Sequence, residues 1–405
     1  MAREIGHRHQ TAILQALKDG QLKTRSQIAE ETGLSLSTIG RIVEGMIERK
    51  LIQEISQDSS SVGRPPALLQ VNPDLGFVVG LDIGAGTIRA VAIDLLGNII
   101  SSFDQKTGVY KGNEELLQEM IGLTGKIINR AGLGIERILG LGVAISGIVD
   151  SEAGVCLFCP NIPGPKDTPI KERLEKEFPF KIFVDDQART HALAEKRYGV
   201  AKGVENFIHV SVGIGLGAGI CMNDQVYRGE NGLAGELGHI TVKEDGPLCS
   251  CGNKGCLEAL ASGPAIVRRA REGLQEGVYS SLTSVMESHP EKLTVEAIAQ
   301  AAEAGDKLAF QIIDRTGQYL GIGIATALNL LGSQLVVIGG GVANCGDILL
   351  EAIERTVKLR ALHVVSPRIK IKRTALDDRA AALGAAAAVV DHIFSSPPEE
   401  ILSKR

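Results

Sequence analysis

One histidine and three cysteines, His239, Cys249, Cys251 and Cys256, follow a His-x9-Cys-x-Cys-x4-Cys spacing that constrains the folding of this chain more tightly than any other feature. They lie in GELGHITVKEDGPLCSCGNKGCLEALAS, residues 235–262, and three of the seven cysteines fall within eight positions. Four groups that share one metal ion force the segment between them to close on a single point. One imidazole and three thiolates complete the tetrahedral shell of a structural Zn2+ and leave no position for an activated water. The predicted cofactor is therefore a zinc ion that builds a site and performs no chemistry. Reduced thiols packed in a core are the plainer alternative, but packing does not account for so dense a Gly-punctuated cluster. Glu236 stands three residues before the histidine and Glu258 two after the last cysteine, so two carboxylates are tied to the same loop. Carboxylates so placed suit hydroxyl-rich ligands.

At 405 residues the chain exceeds the size at which one core stops growing, which predicts two or three domains. Residues 1 to 55 are helical in pattern, and from Phe77 the texture changes to short Val/Ile/Gly strands. Residues 56–66, SQDSSSVGRPP, have the composition of a wing or linker, and the first boundary is placed near Asn72. FVVGLDIGAG, IRAVAID, GNIISSF, ILGLGVAIS, KIFVDD, NFIHVSVG, GAGICM and QLVVIGG read as strands, interleaved with helical segments such as Glu114 to Ala131, Gln187 to Tyr198 and Asp306 to Leu331. The fold class is α/β. Gly-rich turns follow strands in both halves, at Gly84/Gly86 and at Gly213/Gly215/Gly217, which predicts two related lobes facing a cleft. The expected domains are 1–72, 73–190 and 191–405, with the last helix free to return to the first lobe. No apolar run approaches the roughly 18 residues of a membrane span, and the polar first ten residues do not resemble a leader. A cytoplasmic, reducing location with no membrane partner is expected. The net charge of −5 says nothing about nucleic acid, and 3% aromatics with no Trp predict little stacking on a ligand.

Residues 25–44, RSQIAEETGLSLSTIGRIVE, fit helix-turn-helix spacing: Ala29 at the helix contact, Gly33 in the turn, and Ile28, Leu34, Ile39 and Ile42 facing inward. Ser35 can cap the second helix, and Ser37, Thr38 and Arg41 occupy its outer face, where a recognition helix meets the major groove. Leu51 to Ile55 and Leu68 to Val71 can pair as a two-stranded wing, with Arg64 before Pro65 reaching outward toward a minor groove. The expected DNA contacts are thus Ser35, Ser37, Thr38, Arg41 and Arg64. Residues 1–75 hold nine Lys/Arg and nine Asp/Glu, so the module is electrically neutral and gains little non-specific pull from DNA. A protein-interaction module is the alternative, and dimerisation would supply the affinity that charge does not.

With these motifs in place the chain resembles the ROK family, whose members are transcriptional repressors and sugar kinases sharing an actin-like, ribonuclease-H-like two-lobed fold. The resemblance covers nearly the whole chain. Its carriers are the winged helix-turn-helix with GRPPALLQVNP, LDIGAGTIRAVAIDLLG, AISGIVD, PNIPG, VDDQARTHALAE, VGIGLGAG, GELGH, CSCGNKGCLE and VVIGGGVA. It implies a sugar pocket lined by Gly147, Asn161, Asp186, Gln187, Glu236, His239 and Glu258, with the metal fixing the His239 ring.

The resemblance also implies what is missing. Aligned on ALAE without gaps, the position of the kinases' catalytic Asp falls on Gln187, whose amide cannot act as a general base, whereas a one-residue shift would make Asp186 the base. The kinase loop DIGGTK reads DIGAGT here, so Gly86 stands where a Thr hydroxyl would be, and Gly-Thr-Gly becomes Gly213-Ile214-Gly215. The expected function is therefore a sugar-responsive repressor with no catalytic residues, acting as a homodimer or homotetramer on operator DNA. An ATP-dependent hexose or N-acetylhexosamine kinase is the alternative. A sensor that binds a protein partner is a third reading. Cys156 and Cys159 show CxxC spacing but no thioredoxin-like surroundings, and read as small core or cleft-wall residues, as do Cys221 and Cys345 as core thiols. Asp82 reads as a turn cap. The other seven histidines, His191 and His209 among them, lack partners at ligand spacing and carry no assignment.

Overall fold

A computed structural model of the chain describes residues 2–55, 67–162, 166–364 and 366–399. It opens with helix α1 (Ala2–Leu17), the two-residue strand β1 (Lys23–Thr24), α2 (Arg25–Thr32), α3 (Leu36–Glu48), β2 (Ile52–Ile55) and β3 (Leu68–Val71). Thr24 caps α2 through a capping box with Gln27, and Gly33 turns the chain at φ 69 between α2 and α3. Ile28 and Ile39 are buried, while Leu34 and Ile42 pack half-buried on the same cluster, so the inward face expected from the sequence is present. The expected two-stranded wing is corrected to three strands in the order β1-β3-β2: Ile52 opposes Val71, and Lys23 opposes Leu69 on the other side of β3. Two residues between helices carry no periodicity, so β1 is defined only by its partner. The wing tip, with Arg64, lies outside the described residues.

The body contains β4 (Phe77–Ile83), β5 (Thr87–Asp94), β6 (Ile99–Lys106), α4 (Asn113–Arg130), β7 (Ile138–Ile145), β8 (Ile148–Asp150), β9 (Val155–Phe158), β10 (Lys166–Thr168), α5 (Ile170–Glu177), β11 (Lys181–Asp186) and α6 (Gln187–Tyr198). It continues through β12 (Phe207–Val212), β13 (Leu216–Met222), β14 (Gln225–Tyr227), α7 (Leu257–Ala261), α8 (Gly263–Gln275), α9 (Thr283–Ser288), α10 (Val295–Glu303), α11 (Lys307–Leu331), β15 (Leu335–Gly339), α12 (Gly346–Arg360), β16 (Lys370–Arg373) and α13 (Ala380–Ser395). Two five-stranded sheets result, ordered β11-β7-β4-β5-β6 and β14-β13-β12-β15-β16. Each starts as an antiparallel three-strand meander whose first strand pairs in parallel with one later strand, which in turn pairs in parallel with a second. The two lobes therefore share one topology, and their glycine-rich hairpins, β4 to β5 and β12 to β13, occupy equivalent places facing each other.

Strands β4 and β7 are buried along their whole length because helices cover both faces. One cover is α13, from the far end of the chain: a Cβ at Gly80 or Gly142 would overlap the carbonyl oxygen of Ala382 or Ala385. Gly384 of α13 in turn lies against the Thr190 carbonyl of α6, and Gly219 of β13 against Ala188 and Ala192 of α6. The paired helices α6 and α13 are thus the junction of the two lobes. They also reach the N-terminal module, because Ile13, Leu14 and Leu17 of α1 share one apolar cluster with Val91 and Ile93 of β5 and Ile393 and Phe394 of α13. No described helix is long and apolar enough to cross a membrane.

Candidate functional site

The four candidate metal ligands meet. The ligand atoms of His239, Cys249, Cys251 and Cys256 all lie within 4.8 Å of one another, with Cys249 Sγ 3.6 Å from His239 Nδ1 and Cys251 Sγ 3.7 Å from Cys256 Sγ. A tetrahedral ion with Zn–S of about 2.3 Å and Zn–N of about 2.0–2.1 Å requires ligand separations of roughly 3.5–3.8 Å, which these distances match. The cluster therefore fits one four-coordinate metal ion. Because Nδ1 faces the sulfurs, Nε2 is left to carry the proton, and it points to Glu236, whose Oε2 is 3.8 Å away.

All seven residues implied for the sugar pocket border one cavity of about 960 Å3 between the two glycine-rich hairpins. Glu258 accepts from Leu216 N at 2.8 Å and from Ser250 Oγ at 3.4 Å, so it ties the metal loop to the β12–β13 hairpin. Across the cleft Asn161 reaches that hairpin, its Nδ2 3.1 Å from where a Cβ on Gly215 would stand. Gly147 has no room for a side chain, since a Cβ would overlap the Phe158 carbonyl and come within 3.0 Å of Cys159 Sγ. Asp186 caps α6 by accepting from Arg189 N at 3.0 Å.

Sequence reasoning missed the groups that hold Asp186. The buried Arg189 guanidinium is 2.6 Å from Asp186 Oδ2 and donates to Asp185 Oδ1 at 2.5 Å, to Gly232 O at 2.7 Å and to Val149 O at 3.2 Å. Arg228, from the second lobe, donates to Asp185 Oδ2 at 2.9 Å. The one available signal is the spacing in DDQAR, which sets an arginine three and four residues after two carboxylates at a helix start. His191 and His209 were also missed. Their rings stack at 5.2 Å and 3° on the wall of the cavity. His191 is kept neutral by burial, which drops it to about 4.

The part of the cavity between the two hairpins is partly filled by this chain's own side chains. Gln187 borders the cavity with its amide already engaged: its Nε2 donates to Asp82 Oδ1 at 2.7 Å and so fastens α6 to the first hairpin. A Cβ at Gly86 would lie 3.2 Å from Ile214 Cδ1, so an exposed apolar side chain sits between the two hairpins. Asp82 is more than the turn cap expected from the sequence. Burial pushes its carboxyl up to about 7, against the Gln187 hydrogen bond and Arg89. Between the ordinary value near 3.9 and about 7, the folded chain keeps a proton that the unfolded chain gives up, so stability falls as pH rises through that window. Asp82→Asn stays neutral and should be more stable at pH 8, on the order of 4 kcal/mol. The gap should narrow steadily below pH 7 and close toward pH 4, and a melting-temperature gap that does not depend on pH would refute the assignment.

On the N-terminal module Ser35 caps α3, accepting from Thr38 N at 3.2 Å, and its Oγ lies 3.0 Å from Ser37 Oγ and 2.9 Å from Thr38 Oγ1. Ser35, Ser37 and Arg41 are exposed and Thr38 half-exposed, so the four form one outward patch on the first turns of α3. The module is held to the body by Arg197 at the end of α6, which donates to Lys18 O at 2.9 Å and pairs with Asp391, and by Gln15 Nε2 to Ser395 Oγ at 2.9 Å.

Comparison with known proteins matches this architecture. The family model described as the ROK family matches residues 78–392. A xylose repressor from Caldicellulosiruptor bescii is 31% identical over 95% of this chain and 96% of its own. A solved ROK family transcriptional regulator, a homologue of the Escherichia coli MLC protein, superposes with a TM-score of 0.84 at 28% identity, covering 99% of this chain and 98% of that one. A ROK family glucokinase from Streptomyces griseus, solved with glucose and AMPPNP, gives a TM-score of 0.69 at 28% identity and covers 77% of this chain and 99% of its own. The regulator accounts for this chain end to end, whereas the complete kinase leaves part of it without a counterpart. By its motifs, its paired lobes and these matches, the chain belongs to the ROK family.

Proposed function

We propose that this chain is a sugar-responsive transcriptional repressor that binds operator DNA through residues 1–72 and takes its sugar, without phosphorylating it, in the cleft. The observation that carries the reading is the double role of α6: its first turn bears Asp186 and Gln187 in the cleft, and its last turn holds α1 of the helix-turn-helix module. A ligand that moves one end moves the other. The His239, Cys249, Cys251 and Cys256 cluster would hold a structural Zn2+, which keeps Glu236, His239 and Glu258 facing Asn161 and Asp186. A sugar hydrogen-bonded to both walls favours the closed cleft, because only that state makes both sets of bonds. Closure then changes the spacing of two recognition helices in a dimer, whose half-sites lie about 34–36 Å apart or a multiple of that.

The relative named a xylose repressor makes D-xylose the first probe. A thermal-shift panel of D-xylose, D-glucose, N-acetyl-D-glucosamine and their phosphates should yield a selective stabiliser, and a gel-shift assay on a duplex selected by the protein should show release by the same sugar. Sugar-dependent ADP production from ATP would refute the reading. Arg41→Ala should weaken the operator complex by about 1–3 kcal/mol, the worth of a bidentate base contact. Unchanged affinity at fixed salt would remove Arg41 from the DNA face.

A further inference from the structure

Strand β9 and the turn after it carry two thiols that neither the metal cluster nor the sugar pocket uses. Cys156, paired with Val149 of β8 and Thr168 of β10, is buried, and so is Cys159 just beyond the strand. Their sulfurs are 2.8 Å apart, about 0.8 Å longer than the ~2.05 Å S–S bond of a disulfide. Bond formation therefore needs a further approach of only about 0.8 Å between the two sulfurs. Cys221 and Cys345, equally buried, offer a contrast, since neither faces another thiol in the described structure.

We propose that Cys156 and Cys159 are a reversible thiol–disulfide site, reached from the cleft and oxidised by a hydroperoxide. Access is set by Gly147. This residue lines the cleft with Phe158 and Pro160, and a Cβ on it would stand 2.4 Å from the Phe158 carbonyl oxygen and 3.0 Å from Cys159 Sγ, so that sulfur lies directly behind the cleft wall. Cys159 is also the better nucleophile: the hydrogen bond from Cys156 holds its thiol below the ordinary range, while the same contact and burial hold Cys156 above it.

The reaction balances with one peroxide. The Cys159 thiolate attacks one peroxide oxygen, an S–O bond forms, the O–O bond breaks, and hydroxide leaves. The sulfur is now a sulfenic acid. Cys156 then gives up its thiol proton and attacks the Cys159 sulfur. The S–S bond forms, the S–O bond breaks, and the second oxygen departs as water. Two thiols and one hydrogen peroxide thus become one disulfide and two waters, and a dithiol such as dithiothreitol restores the pair by exchange. Asn161 lies two residues after Cys159 on the same turn, so drawing Cys159 toward Cys156 shifts the cleft wall. That consequence rests on the proposed sugar pocket, whereas the disulfide does not.

The test is peptide mapping of the full chain treated with limiting hydrogen peroxide and quenched with iodoacetamide under denaturing conditions. The tryptic peptide 138–166 contains both cysteines. It should lose both thiol hydrogens and resist alkylation until dithiothreitol is added, while Cys221 and Cys345 remain alkylated in full. In Cys156→Ser the sulfenic acid has no resolving thiol, and dimedone should label Cys159. A peptide 138–166 that stays a dithiol until Cys221 and Cys345 are also lost overturns the site. So does its direct passage to sulfinic acid in the unaltered chain. Both outcomes are readable whether or not any sugar binds.

Discussion

Replacing Cys251 with serine should remove the metal and, with it, sugar binding, while the fold survives. Cys251 is the one exposed member of the four ligand residues, so its sulfur contributes little packing and the exchange to serine tests ligation alone. A hydroxyl is a poor fourth ligand beside two thiolates and an imidazole, and structural zinc sites of this kind contribute about 10–16 kcal/mol in small metal-folded peptides, so occupancy should collapse. Without the ion the segment from His239 to Cys256 has no common anchor. Glu258 would keep its bond to Leu216 N, but the His239 ring would be free to turn and Glu236 would lose its fixed neighbour. Elemental analysis should give one zinc per unaltered chain and close to none for the variant, and calorimetry should show the sugar signal lost with it. Stoichiometric zinc in Cys251→Ser would refute the ligand set. Full sugar affinity without zinc would separate the metal from the pocket.

Arg197→Ala should leave both ligands bound and break the link between them. The Arg197 guanidinium joins α6 to the Lys18 carbonyl at the end of α1 and to Asp391 of α13, and it lies 5.6 Å from the centroid of the Phe394 ring. It touches neither the cleft nor the outer face of α3. If α6 transmits cleft closure, the operator should weaken sugar binding in the unaltered protein by about 5- to 150-fold, the range of typical coupling energies, with the reverse effect equal by linkage. In the variant the two sugar affinities, with and without operator DNA, should converge. Arg197→Lys, which keeps a donor but not the fork, should give an intermediate value. Equal affinities in the unaltered protein would mean that no coupling exists. Undiminished coupling in Arg197→Ala would place the route elsewhere, through the apolar cluster that α1 shares with α13.

The legibility of this molecule in its sequence depends on whether a feature is local. The metal set was readable because its spacing is chemical, and the glycine hairpins because they recur after similar strands. The order of the strands was not readable. β16, KIKR, carries three cations and looks like surface loop, yet it completes the second sheet beside β15. β1 is two residues long and exists only through β3. Helix α13 reads AAALGAAAAVVDHIFS, apolar nearly all round, so no stripe reveals which surface it covers, and twelve of its residues prove buried. In the cleft the motifs named residues that do line the cavity but not what holds them. Arg189 looks like an ordinary helix cation, and the stacked His191 and His209 stand eighteen positions apart with no spacing that relates them.

The place of α13 has a consequence for the order in which the molecule can be made. A ribosome completes the first sheet, at Asp186, nearly two hundred residues before the helix that lies on Gly80 and Gly142. Until residues 380–395 emerge, one face of β4 and β7 and the apolar side of α1 are uncovered, and so lasting association of the DNA-reading module with the body must wait for the end of synthesis. Nascent chains are therefore poor competitors for the operator, and a pool of them presents an exposed apolar surface that chaperones can hold.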